Sequence, residues 1–141
     1  MKRVVWLGLG AVVGAVAAAI TVVFAYFLIA SPMRRLESAS GLELPTNVRL
    51  AWERDQRDQF LGQGFTLRAF RVPSDAARAW VADCPRNFAS MRLDESGIWS
   101  KLQEQGLEGD LPACVKKSES TTHQEVVVIA SEQIFHMSVD R

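Results

Sequence analysis

VVWLGLGAVVGAVAAAITVVFAYFLIA, residues 4–30, carries no charge, and its only polar side-chain groups are the Thr21 and Tyr26 hydroxyls and the Trp6 indole. As a helix its 27 residues rise roughly 40 Å, against a bilayer hydrocarbon core of roughly 30 Å. A cleaved signal peptide has an apolar region of about 7–15 residues and a small-x-small cleavage site. Here the run is about twice that long and ends in Leu28-Ile29-Ala30. A soluble domain built from the rest of the chain is too small to bury every face of such a helix. Residues 1–35 therefore read as an uncleaved transmembrane signal-anchor, a single span.

Trp6 near one end and Tyr26-Phe27 near the other lie about one bilayer thickness apart, where amphipathic rings favour the two interfaces. Gly10, Gly14 and Ala18 recur every fourth residue, with Ala11, Ala15 and Ala19 beside them. Such a small-xxx-small row lets helix backbones approach closely, so Gly10, Gly14 and Ala18 are candidate transmembrane packing residues, for a homodimer or a partner's helix. Gly and Ala are also simply common in membrane helices. Lys2 and Arg3 on one side and Arg34 and Arg35, diluted by Glu37, on the other give a small positive-inside bias toward a cytoplasmic N-terminus. The very short N-terminal tail points the same way. The expected location is the inner membrane with an extracytoplasmic, periplasmic domain.

The rest of the chain divides into a juxtamembrane linker, 36–46, and one soluble domain, 47–141. From Leu36 onward there are 12 Lys/Arg against 16 Asp/Glu, a balance of −4. A mildly acidic domain lacks the basic footprint for nucleic acid.

Val48, Leu50 and Trp52 alternate with polar neighbours and read as a strand over 47–53, followed by a solvated loop, 53–59. Gly62-Gln63-Gly64 is expected as a hairpin turn or bulge before a second strand, 65–72. Ser74 is a candidate cap for a helix in which Ala77, Trp80, Val81 and Cys84 form one apolar stripe, stopped by Pro85. Residues 86–95 read as irregular. Ser96 to Gly106 frames a second short helix. Strands follow at 113–117, 125–130 and 133–139. EVVVIA, 125–130, is a continuous β-branched run of the kind buried on both faces. The fold class is α+β, a small two-layer domain of order ββααβββ with its helices grouped on one face.

Cys84 and Cys114 have neither C-x-x-C nor zinc-finger spacing. They read either as a disulfide, worth ~3–4 kcal/mol on the chain-entropy model, or as two buried thiols; an oxidising compartment favours the bridge. His123 falls in a polar turn and His136 on a strand. Neither belongs to a recognisable set of three or four metal ligands. No G-x-S-x-G, P-loop or H-E-x-x-H occurs. Arg49, Arg54, Arg57, Arg68 and Arg71 around the first hairpin read either as an anion-recognition surface or as strand exteriors paired with Glu53, Asp55 and Asp58. Trp52, Trp80 and Trp99 sit on apolar faces and are expected in the core. No catalytic residue, metal ligand or cofactor site is assigned.

The layout is similar to that of small bacterial single-pass proteins with a periplasmic α+β domain. The likeness covers the plan alone and transfers no functional residue. The expected function is non-enzymatic: a membrane-tethered interaction or accessory protein of the cell envelope, in an assembly, regulatory or immunity role, with a protein partner or a second copy of itself. The alternative is a small anchored hydrolase or thiol enzyme built on Cys84, Cys114 or His136.

Overall fold

The computed structural model describes the backbone of residues 2–57 and 64–140 and, within the first helix, the side chains of 12–27. The chain forms two units, Met1–Arg35 and Leu36–Arg141. The first is helix α1, Lys2–Ala30, and the opening of α2, Pro32–Ser40. Along α1 the large apolar side chains from Val12 to Phe27 are exposed, and the Thr21 hydroxyl turns inward to donate to the Ala17 carbonyl at 2.9 Å. Among the described residues no single helix is long and apolar enough to cross a membrane. Val12–Phe27 and Pro32–Ser40 satisfy length and composition only together, as a broken pair. The single span expected over 4–30 thus has support from length and composition alone, and only through this broken pair.

The second unit carries a six-stranded antiparallel sheet: β1 (Arg49–Arg57), β2 (Gly64–Arg71), β3 (Ala89–Arg92), β4 (Pro112–Glu119), β5 (His123–Ala130) and β6 (Gln133–Asp140), in spatial order β1-β2-β6-β5-β4-β3. Helix α3 (Ser74–Ala82) precedes β3, and α4 (Trp99–Leu102) follows it between two 3-10 turns. The class is α+β as expected, but the order is ββαβαβββ. The short β3 lies in the stretch read as irregular. Four residues are too few to display alternation, and it exists because β4 offers an edge to pair with.

Leu67, Ala69, Val115, Val126, Val128, Phe135 and Met137 share one face of the sheet, covered by Leu93, Ile98 and Leu102. The alternate residues Phe70, Cys114, Val127, Ile129 and Ile134 point the other way and are equally buried. Helix α3 packs against β4 and β5 and is joined to that second face by a Cys84–Cys114 disulfide, Cα–Cα 5.6 Å. The helices therefore lie on opposite faces rather than one, because β5 and β6 are apolar on both sides. Residues 36–40 of the expected linker are the end of α2, with Leu36 wholly buried.

Strand β1 runs on through Glu53–Arg57, expected as a loop. An edge strand needs no apolar alternation, since one face and one edge stay wet. A bulge between Leu50 and Trp52 leaves Leu50 44% exposed while Trp52 packs against the core, its ring 6.4 Å from that of Phe135. Ser74 does not cap α3. Pro73 is the N-cap residue, and the Ser74 hydroxyl donates to Glu132 at 2.6 Å. Gly106 ends the second helical segment in the left-handed region, φ 70°. Most of the expected turn, through Gln63, lies outside the described residues.

Two outcomes follow. Replacing both cysteines with serine lowers stability by ~3–4 kcal/mol, the loop-closure value for a separation of 30 residues, measured by urea unfolding with and without reductant. Gly64 has φ 143°, and a Cβ there would strike the Gln56 carbonyl oxygen on β1. Gly64→Ala is expected to cost at least ~1–3 kcal/mol in the same assay, with Gly106→Ala, in open space, costing less.

Candidate functional site

The register of β1, β2, β6 and β5 assembles a polar band on the face that bears Phe70 and Ile134. Glu53 pairs with Arg68 and Arg68 with His136; Asp55 pairs with Thr66, Thr66 with Ser138 and Ser138 with Glu125; Arg57 pairs with Gly64, Gly64 with Asp140 and Asp140 with His123. These residues alternate with core residues on their strands, so the sheet's period of two carries them all to one side.

Contacts within the band are charge-assisted. The largely buried Arg68 donates from Nε to Glu53. Arg57 grips Asp55 with Nε at 3.0 Å and Nη2 at 2.8 Å, and this bond holds the exposed Asp55 carboxyl below the usual value. His123 Nδ1 lies 2.8 Å from Asp140 Oδ1. A carboxylate only accepts, so Nδ1 carries the proton. That bond to Asp140 is the main cause raising the His123 pKa.

His136 differs. It is 1% exposed, and neither ring nitrogen makes a hydrogen bond among the described residues. Its Nε2 lies 3.4 Å from Glu125 Oε1, close enough for Coulomb attraction but poorly aligned for a hydrogen bond. Burial is the largest influence and pushes its pKa down; Glu125 opposes this, while Arg68 and His123 add to it. The same Glu125 oxygen lies 3.4 Å from His123 Nε2. One carboxylate oxygen therefore sits between an exposed imidazole and a buried one.

This geometry sets two imidazoles with oppositely shifted pKa values around one carboxylate oxygen. Among the described residues no hydroxyl or thiol bonds to the His136 ring, and both sulfurs are joined to each other, so neither cysteine is a free thiol. Among the described residues no three His, Cys, Asp or Glu are placed to hold a metal ion.

His123, expected in a turn, opens β5 instead. The Ser131-Glu132 turn sets Ala130 opposite Gln133, and counting outward from it places His123 opposite Asp140 and Glu125 diagonal to His136. That count from the turn is the signal in the sequence for this cluster. Of the candidate packing residues, Gly14 has no atom within 4 Å of a built Cβ and Ala18 is exposed, while the surroundings of Gly10 lie outside the described residues. Of the hairpin arginines, Arg54 and Arg57 are paired with acids as strand exteriors, whereas Arg68, expected outside, is paired with Glu53 and largely buried.

The two rings give stability opposite pH dependences. For His123 the folded pKa is raised, so its stabilisation is fully present below the unfolded value of about 6.5 and fades as pH rises through the folded pKa. For His136 the folded pKa is lowered, so its contribution is fully present above about 6.5 and fades as pH falls through the folded pKa. Imidazole NMR titration should find His123 charged over an interval in which His136 is neutral. Asp140→Asn should lower the His123 midpoint. His136→Leu should remove that ring's share of the acid-side loss in pH-dependent urea unfolding.

No family model, curated protein or solved structure matches this chain.

Proposed function

We propose that this chain is a single-pass, membrane-tethered, non-enzymatic interaction protein of the bacterial cell envelope. It holds the unit Leu36–Arg141 on the periplasmic side of the inner membrane, in an assembly, regulatory or immunity role. The observation that carries this reading is the exposure of apolar side chains along α1: Val12, Val16, Ile20, Val23, Phe24 and Phe27 are each more than half exposed. A side chain of this kind gains ~1.5–3 kcal/mol on moving from water to an apolar surrounding. A bilayer provides that surrounding for all of them at once.

Two further features support the compartment. Disulfides persist in oxidising spaces, and the Cys84–Cys114 bond closes the unit's second face. Lys2 and Arg3 favour a cytoplasmic N-terminus. The non-enzymatic part rests on the polar band: a hydrolase built on His136 needs a hydroxyl or thiol within hydrogen-bond reach of its ring, and that contact is missing among the described residues. Gly10, Gly14 and Ala18 form the proposed helix-packing row, on the side of α1 away from Val16, Val23 and Phe27 when residues advance by about 100°.

The test is made in intact membranes. The chain should resist alkaline carbonate extraction, protease added outside spheroplasts should digest the C-terminal unit, and crosslinking should capture one stoichiometric protein partner or a second copy. Release by carbonate, or a C-terminal unit protected until lysis, removes the reading. Gly14→Ile should abolish association through α1, and an unchanged associated fraction discards that row.

A further inference from the structure

Of the five arginines on the first two strands, three are matched by acids: Arg54 with Glu104, Arg57 with Asp55 and Arg68 with Glu53. Arg49 and Arg71 have no ion pair and no side-chain hydrogen bond among the described residues. They are register partners on β1 and β2. Directly opposite residues project from the same face with Cβ atoms about 4.5–5.5 Å apart, and like charges so placed destabilise a sheet. The acid on the neighbouring β5–β6 turn, Glu132, accepts from the Ser74 hydroxyl at 2.6 Å and makes no ion pair with either arginine among the described residues. Both side chains are exposed, so the two guanidinium groups stand open to solvent and to an anion from outside the chain.

The surroundings are open and carry donors. Arg49 and Arg71 together line a hollow of about 520 Å³ with Asn47, Val72 and Pro73, and a smaller one of about 260 Å³ with Leu50 and Ala51. Asn47, whose Oδ1 accepts from the Thr46 hydroxyl at 3.3 Å, lines the larger hollow and carries amide hydrogens to donate.

We propose that Arg49 and Arg71 form a two-guanidinium clamp for a phosphate group, with Asn47 as a third donor. Each guanidinium presents a planar fork that takes two oxygens of one anion. A carboxylate has two oxygens and is filled by one fork, whereas a phosphate has enough for both. The phosphate is either soluble or the headgroup of a phospholipid, since the recognised group is the same. Leu50, Val72 and Pro73 give the esterified part an apolar border. The clamp rests on the geometry of β1 and β2 and does not depend on the membrane reading.

The test uses the full chain in non-ionic detergent, titrated calorimetrically with inorganic phosphate and, separately, with short-chain phosphatidylglycerol, with short-chain phosphatidylcholine as the control lipid. Saturable binding of inorganic phosphate assigns a soluble ligand. Binding of phosphatidylglycerol alone, in preference to phosphatidylcholine, assigns a lipid headgroup. In either case Arg49→Gln with Arg71→Gln should weaken binding about tenfold or more, as expected when charge-assisted forks are lost. Arg54→Gln makes a similar charge change at a paired arginine and should stay within about twofold of the parent. Arg49→Lys keeps the charge without the fork and should weaken binding several-fold, which covers the case of a double variant that fails to fold. Absence of binding by either probe at millimolar concentration, unchanged affinity in the double variant or in Arg49→Lys, or an equal loss in Arg54→Gln overturns the clamp.

Discussion

The two central strands, β5 and β6, are apolar on both sides, and the rest of the globular unit is built to keep water from them. Val126–Ala130 and Ile134–Met137 are buried without interruption. A sheet so composed needs cover above and below. Leu93, Ile98 and Leu102 give it on one side. On the other, α3 packs against β4 and β5 and the Cys84–Cys114 bond fixes its end to the sheet. The bond thus acts where a nine-residue helix with one fully buried side chain, Ala77, has little apolar area of its own to hold it down.

The same two-sidedness explains why an imidazole is trapped inside. Position 136 falls in the row of Ile134, and whatever stands there shares that row's burial. Burial of a polar ring without hydrogen bonds is costly, and the ring adapts by staying neutral. Outward along the sheet the chemistry changes in steps. His136 and Arg68 are buried, Glu125 is partly covered, and Glu53, Asp140, His123 and Arg57 meet solvent. Charge increases away from the buried row, toward the open ends of β5 and β6 and toward the edge strand β1, where hydration can support it.

Much of this plan was legible in the residues. EVVVIA announced a strand buried on both sides, the 3.6-residue stripe through Ala77 and Trp80 announced α3, and the cysteines offered the bridge. Three things were not legible. The tail of β1, ERDQR, has no apolar period, because it is held by β2 and by cross-strand ion pairs rather than by a core-facing pattern. β3 is too short to show alternation and follows from the open edge of β4. The meeting of His123, Glu125 and His136 depends on a register, and register resides in the Ser131-Glu132 turn rather than in the residues it aligns. The opposition of Arg49 and Arg71 is hidden for the same reason: it depends on where the β1–β2 pairing begins relative to the bulge after Leu50.

Both borders of the sheet are blunted. β3 is only four residues long, and β1 is bulged and studded with charges of both signs. Natural sheets use these devices against unwanted strand addition. If the chains are anchored side by side in the plane of a bilayer, their lateral density greatly exceeds that of a protein dissolved in bulk. Blunted rims would then let many copies crowd together without zipping into a continuous ribbon.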